Sequence, residues 1–263
     1  MIMNEETSER RIVLPGELIG EGASLRPGQG AYRDRADGRI YASRVGVMGK
    51  HSGYVNVVPL SGVYDPQKDD LVIGIISEVG QSNWLVNING IYPAPLHVNE
   101  VPWRVEFGET SKYLNHGDAV LVKVFSVDET KNVQVSMKDR NLRKLSGGQI
   151  ITVDPTKVPR VIGKSGSMIN LVKSYTDVWI FVGQNGRIWI SGGDASMQVA
   201  IAAIAKIESE AHTTGLTDRM KQWLEEHGTV KPAGDAKPDE FAAPRGNSGN
   251  AEENKDASEE TSE

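Results

Sequence analysis

The sequence predicts a multidomain chain of β plus α/β class with four segments in order. These are a small N-terminal β domain at 1–66, a five-stranded barrel at 67–140, a βααββα unit with one added helix at 145–228, and a disordered acidic tail at 229–263. Three observations predict this. The first half is made of short apolar runs cut repeatedly by glycine, of which the chain holds 28, and such text reads as strands joined by turns. From about Leu145 the runs lengthen and take helical spacing. Residues 233–263 carry nine acidic and three basic side chains with Phe241 as the one aromatic, too little apolar surface to offset the entropy of ordering.

In the N-terminal segment, Arg11–Leu14, Arg39–Ser43, Val45–Val47 and Tyr54–Leu60 read as strands, and Asp37-Gly38 is a hairpin signal. Residues 1–11 read as a loose arm. In the second segment, Leu71–Ile76 is a strand interrupted by Gly74, Trp84–Ile88 ends at the Asn89-Gly90 turn, and Ala119–Phe125 and Asn132–Ser136 flank the turn Asp128–Lys131. About five strands in so short a segment fit a small Greek-key barrel. In the third segment, Ile150–Val153 is a strand and Pro155 opens a helix ending near Ile162. A second helix runs from Ser167 to about Ser174, followed by strands Val178–Val182 and Arg187–Ser191 with Gly183-Gln184-Asn185-Gly186 as a plain hairpin turn. Asp194 is expected to cap a helix from Ala195 to about Ala211 with Val199, Ile201, Ala202, Ile204, Ala205 and Ile207 on its apolar face. Thr217 opens a last short helix through Glu226.

The charge balance excludes less than it first suggests. The formal net charge is −6, and residues 233–263 account for all of it, so the first 232 residues are neutral. Local patches, not the average, decide whether a polyanion is bound. There is no cysteine, which removes disulfides, thiolate nucleophiles and cysteine-bound zinc together. No apolar run approaches the length of a membrane span and the start lacks a signal-peptide pattern, so a soluble cytoplasmic protein is expected.

The sharpest motif is Val161-Ile162-Gly163-Lys164-Ser165-Gly166-Ser167-Met168-Ile169. Two glycines bracket Lys164 and Ser165 between two amphipathic helices. A glycine lets a phosphodiester backbone approach the main chain, and amides at a helix start favour an anion. Between Pro155 and Ser174 the charged residues are Lys157, Arg160, Lys164 and Lys173, with no acid among them. The P-loop spacing is absent, which argues against a nucleotide hydrolase. The histidines show no metal-binding spacing, and the adjacent carboxylates Asp69 and Asp70 should point to opposite faces of a strand. No catalytic residue, metal or cofactor is expected.

The Val161–Ile169 motif within its βααββα order resembles a type I KH domain, whose family clamps about four single-stranded nucleotides at this loop. Its RNA-binding candidates here are Arg160, Gly163, Lys164, Ser165, Gly166 and Lys173. Residues 67–140 resemble the S1 domain, of the OB-like group, on Val72–Ile76, Gly80 with Trp84-Leu85-Val86, and Val133–Asp139. Where that family usually has Gly-Leu-Val-His-Ile-Ser, this chain has Ala94–Asn99, so His97 and its apolar neighbours carry the match. Candidates on the barrel are Trp84, His97, Lys112, Lys123, Lys138 and Arg140. Trp84 suits either a stacking platform or a core aromatic, and His97 either an RNA contact or an ordinary satisfied histidine. Trp103-Arg104 suits RNA at a pore or plain packing.

With Val13–Glu17, Gly28–Tyr32 and Val57–Pro66 ahead of these modules, the domain order is similar to that of the KH-bearing cap subunit of the archaeal RNA exosome. The resemblance implies a subunit without catalysis of its own. It implies three copies on a hexameric ring of phosphorolytic subunits, alone or mixed with the zinc-ribbon cap protein, feeding single-stranded RNA 3′ end first to the ring. Residues 11–66 would supply most of the ring contact, 68–138 would line the entrance, and the KH domain would lie peripherally. The residues leave two other readings open: a free-standing RNA binder or chaperone, and a nuclease with an unrecognised site.

Overall fold

Side chains alternate across a strand, so each N-terminal strand has a buried face and an open face. The strands are β1 (Arg11–Val13), β2 (Leu18–Gly20), β3 (Arg26–Pro27), β4 (Ala31–Arg33), β5 (Ile40–Ala42), β6 (Gly46–His51) and β7 (Tyr54–Pro59). They form two small sheets, β1-β6-β7-β3 and β2-β5-β4. Val13, Ile19, Ile40, Ala42, Met48, Val55 and Val57 fill the space between them. The computed structural model describes residues 11–229 apart from 23, 52 and 214; of the loose arm at 1–11 and the disordered tail at 229–263 expected from the sequence, all but Arg11, which opens β1, and Thr229 lie outside the described residues.

The barrel is built from β8 (Leu71–Val79), β9 (Asn83–Asn87), β10 (Ala94–His97), β11 (Ala119–Val127) and β12 (Val133–Ser136). β8 pairs with β9 and β11, β9 with β10, β10 with β12, and β12 with β11, so the five strands close. The short β13 (Lys144–Leu145) adds to the free half of β11. Gly74 interrupts β8 because the barrel is tight there: a Cβ at this position would lie 2.1 Å from Val86 Cγ1. The Asp128–Lys131 turn forms as expected, with Asp128 Oδ1 accepting from the Asn132 amide at 2.7 Å.

The third segment contains β14 (Gln149–Thr152), α1 (Val158–Ile162), α2 (Ser167–Thr176), β15 (Trp179–Val182), β16 (Arg187–Ser191), α3 (Asp194–Ser209) and α4 (Leu216–His227). Its sheet order is β14-β16-β15, all antiparallel. A 3-10 turn, Pro155–Lys157, leads into α1, with Asp154 Oδ1 accepting from the Thr156 amide. Asp194 does not cap α3. It is the first helical residue, after Gly193, and its carboxylate complements the positive helix end instead. The buried face of α3 also differs from expectation: Met197, Ala200, Ala203, Ile204 and Ile207 point inward, while Ala202 and Ala205 are exposed. Alanine is small and apolar enough to sit on either face, so hydropathy placed this helix's face about a residue off.

The sheet of the third segment has two occupied faces. Ile180, Val182, Ile188 and Ile190 pack against the helices, whereas Phe181 belongs to the barrel core, with Ile150 and Trp189 packed against it. Polar contacts lock the same seam, and they come from the turn that the sequence presented as plain. β9 ends at Asn87, so the Leu71–Ile73 end of β8 lacks a strand on that side. The Gly183–Gly186 turn fills the gap. The Gln184 amide donates to Leu71 O at 2.9 Å, and the Asn185 carboxamide donates to Ile73 O at 2.8 Å and Ile88 O at 2.7 Å while accepting from the Ile73 amide. Asn185 is 0% exposed and Arg187 is 8% exposed. The Arg187 guanidinium donates to Ile73 O, Asn87 O and Asn87 Oδ1, and its burial lowers its pKa from the ordinary arginine value. In return, Asn89 Nδ2 donates to Asn185 O at 2.9 Å.

Asn185→Ala leaves Ile88 O and the Ile73 amide of the barrel without their side-chain partner, and Ile73 O with Arg187 alone. Each buried polar group left unsatisfied costs about 1–3 kcal/mol, so the variant is expected to lose about 3 kcal/mol of stability. Chemical denaturation checks this, and a midpoint equal to that of the parent protein would contradict it.

Candidate RNA interface

The Gly163–Gly166 loop owes its shape to backbone angles that few side chains tolerate. Gly163 sits at φ 76° and ψ 174°, and Gly166 at φ 81°. A Cβ on Gly163 would lie 2.7 Å from both the Met168 Cβ and the Met168 amide nitrogen, so glycine is required there. Ser165, between them, also takes the left-handed region at φ 55°. The consequence is a tight exposed turn at the start of α2, with Lys164 and Ser165 facing solvent. The Lys164 ammonium makes no ion pair among the described residues. A polyanion passing here meets a free cation and the outward amides of a ten-residue helix.

The other cations of the run are placed differently. Arg160 is exposed but committed: Nε donates to Ala211 O at 2.8 Å and a terminal nitrogen to Thr213 O at 3.1 Å. It ties α1 to the chain after α3. Lys173 lies on the last turn of α2 and faces the edge of β15, away from the Gly163–Gly166 loop.

On the barrel the candidate side chains are already engaged by neighbours in most cases. Trp84 is 0% exposed and its indole N–H donates to Leu114 O at 3.2 Å. A ring with no free face cannot stack a base, so Trp84 is a core residue. His97 uses Nδ1 to accept from the Asn99 amide and caps the 3-10 turn Val98–Glu100. Lys112 pairs with Glu109, and Lys138 with Glu100 at 3.0 Å. Lys123 sits between Asp69 at 3.0 Å and Asp139 at 3.3 Å, and these carboxylates, Asp69 first, hold its pKa above the usual lysine value. Arg140 is exposed without an ion pair among the described residues. Trp103 stacks on Tyr113 with centroids 5.8 Å apart, which is packing. The groove along Lys68, Asp69, Glu100, Lys123, Lys138 and Asp139 therefore holds three lysines against three carboxylates and attracts no polyanion through net charge.

Asp69 and Asp70 do diverge. Asp69 meets Lys123, while Asp70 Oδ2 accepts from the Tyr64 hydroxyl at 2.6 Å and the Gln67 amide at 3.0 Å. Among the described residues no group of three or more His, Asp or Glu side chains is placed to hold a metal ion. No described helix is long and apolar enough to cross a membrane.

Two features escaped the sequence. One is the outer face of the first sheet. Ile12, Val47 and Val58 are register partners across β1, β6 and β7, and they point away from the core formed by Val13, Met48 and Val57. Ile12 is 64% and Val58 60% exposed, and exposed Leu14, Val45 and Leu60 extend the patch at the strand ends. The alternation was legible, but which face lay uncovered was not. The other is a cleft between the barrel and β15 that includes Trp179 and Arg143.

A closed five-stranded barrel joined to a helix-backed three-stranded sheet with a basic glycine turn defines a chain that couples an OB-type barrel to a KH fold. Comparison with known families agrees: the KH domain model matches residues 148–196, and the model of the exosome RNA binding protein RRP4 N-terminal domain matches residues 10–61. The chain is 46% identical over 217 residues to the exosome complex component Rrp4 of Thermoplasma acidophilum, covering 82% of this chain and 91% of that protein. It is 42% identical to that of Methanosarcina mazei over 233 residues, covering 89% and 88%. A solved structure provisionally assigned as an exosome complex RNA-binding protein superposes with a TM-score of 0.59 at 36% identity, covering 63% of this chain and 97% of that one. The chain belongs to the Rrp4 family of exosome complex components.

Replacing Lys164 and Ser165 together by Asp is expected to weaken single-stranded RNA binding at least about tenfold, because two carboxylates replace a free cation on the phosphate path. Both positions are exposed, so thermal stability should hold. Anisotropy titration at physiological salt checks this, and unchanged affinity removes the loop from the interface.

Proposed function

We propose that this protein is a non-catalytic, RNA-binding cap subunit of an archaeal exosome. In this reading it gathers single-stranded RNA and passes the 3′ end through a barrel-lined entrance to a ring of phosphorolytic exoribonuclease subunits. Residues 1–66 dock on the ring, 67–140 border the entrance, and 145–228 carry the outer RNA clamp. Three copies stand on a hexameric ring, alone or mixed with the zinc-ribbon cap protein, in the cytoplasm.

One observation carries the assembly side of this reading: the apolar face of β1-β6-β7. A free-standing RNA binder has no need for Ile12, Leu14, Val45, Val58 and Leu60 on one open surface, and uncovered apolar patches of this kind mark protein interfaces. The kinship to exosome components supports the ring as the occupant. The RNA side rests on the Gly163–Gly166 loop. Absence of catalysis is supported by the same kinship.

Ile12→Asp with Val58→Asp is expected to abolish co-purification with the ring subunits while single-stranded RNA affinity stays within twofold. Both side chains are exposed, so folding should persist. Retained co-purification would move the ring contact elsewhere. The assembled complex should degrade labelled RNA only with phosphate, and the isolated chain should leave it intact. Degradation by the isolated chain, lost on a carboxylate substitution, would favour a nuclease.

A further inference from the structure

The charge of the chain is divided between a neutral body and an acidic end. Residues 233–263 carry the whole net charge of −6, and the residues before them sum to zero. Between 252 and 263 stand Glu252, Glu253, Asp256, Glu259, Glu260 and Glu263 against the single cation Lys255. In the body, the stretch from Pro155 to Ser174 holds cations and no acid, and its Lys164 makes no ion pair among the described residues. The fold fixes where the acidic segment starts. α4 ends at His227, and Gly228 packs on the last turn of α2: a Cβ there would lie 3.1 Å from the Tyr175 Cβ and 2.6 Å from Leu224 O. The Thr229 hydroxyl then donates to Thr176 O at 3.4 Å and lies 2.9 Å from the Ser196 hydroxyl.

Thr176 closes α2 and the Gly163–Gly166 loop opens it, so the acidic segment starts one helix length from that loop, about 15 Å. About five residues of extended chain cover such a distance, and far more than that separate Thr229 from Glu252. Other exposed cations offer an acidic segment less. Lys221 on α4 stands three residues after Asp218 and four before Glu225, on one helix face with both. Arg140 follows Asp139, and the lysines of the barrel groove are matched by carboxylates. The loop joins an unpaired lysine to the outward amides at the start of α2, and a carboxylate presents the same charge to these donors as a phosphate does.

We propose that residues 233–263 are an internal competitor for the RNA loop. Their carboxylates engage Lys164 and the Gly163–Gly166 turn when RNA is absent, and RNA must displace them to bind. The proposal rests on the RNA-binding reading of that loop and adds its regulation. Covalent linkage supplies the strength. A single exposed carboxylate–lysine contact is weak, but a segment joined to its target acts at an effective concentration on the order of 1 mM. A contact of millimolar grade is then enough to weaken RNA binding severalfold. RNA long enough to bring several phosphates wins the exchange, whereas short fragments do not, so the segment selects against weakly held RNA.

The test keeps the full chain and neutralises the segment, with each Asp→Asn and each Glu→Gln between 233 and 263. Affinity for a labelled single-stranded oligoribonucleotide of about twelve nucleotides is expected to rise about fivefold at low salt. The gain should shrink as salt screens the carboxylates. In a chain that also carries Lys164→Asp and Ser165→Asp, the same neutralisation should bring less than a twofold gain, because the loop no longer attracts the segment. A peptide of residues 233–263 at about 1 mM should return the neutralised chain to the weaker binding. Affinity unchanged by neutralisation, with the double variant still impaired, overturns the competition and leaves the loop reading intact. An equal gain with and without the double variant assigns the segment to general repulsion of RNA and also overturns it. A double variant that binds RNA as the parent does, in the neutralised chain, removes the loop from the interface and sinks both readings. Equal melting temperatures across the set exclude a change in folding as the cause.

Discussion

The Asn185 carboxamide does for β8 what a neighbouring strand does elsewhere in the barrel. Where β9 ends, β8 still presents the main-chain groups of Ile73, and Asn185 meets both with one side chain while reaching Ile88 O as well. Arg187 adds a buried guanidinium on carbonyl oxygens. An unpaired buried backbone group is costly, so the barrel reaches full satisfaction only with the KH sheet in place. The two modules are halves of one packed unit, with Phe181 as the apolar member of the same seam.

This constraint organises the functional surfaces. Because the back of the KH sheet is spent on the barrel, the helices and the glycine turn are left facing outward. The seam also leaves a margin, where β15 runs past the barrel wall and Trp179 emerges beside Arg143 and Lys173. The N-terminal sheets have their own core and leave an apolar outer face bare.

Charge tells a similar story at closer range. Lys123 and Lys138, named as candidate phosphate contacts on the barrel, are matched by Asp69, Asp139 and Glu100. The carboxylate partners come from other strands and loops, and sequence spacing does not encode such pairs. Arg160 belongs to the same class: its position in an acid-free run suggested a phosphate contact, and its geometry makes it a brace for α1. Lys164 stands apart because a turn of two positive-φ glycines leaves it, among the described residues, no carboxylate to pair with.

Much of the protein was legible from its residues alone. The longer strands, the helices and the glycine turn follow from periodicity, turn chemistry and the φ values only glycine takes with ease. These are local properties, carried by a few adjacent residues. Tertiary structure alone decided the rest: that Trp84 is core and Trp179 is surface, that Gly183–Gly186 is a lock, and that Ile12 and Val58 share an open face. Each depends on which residue distant in sequence lies opposite. Trp84 and Trp179 both stand in short apolar strands, and only the closure of the barrel buried one and left the other bare.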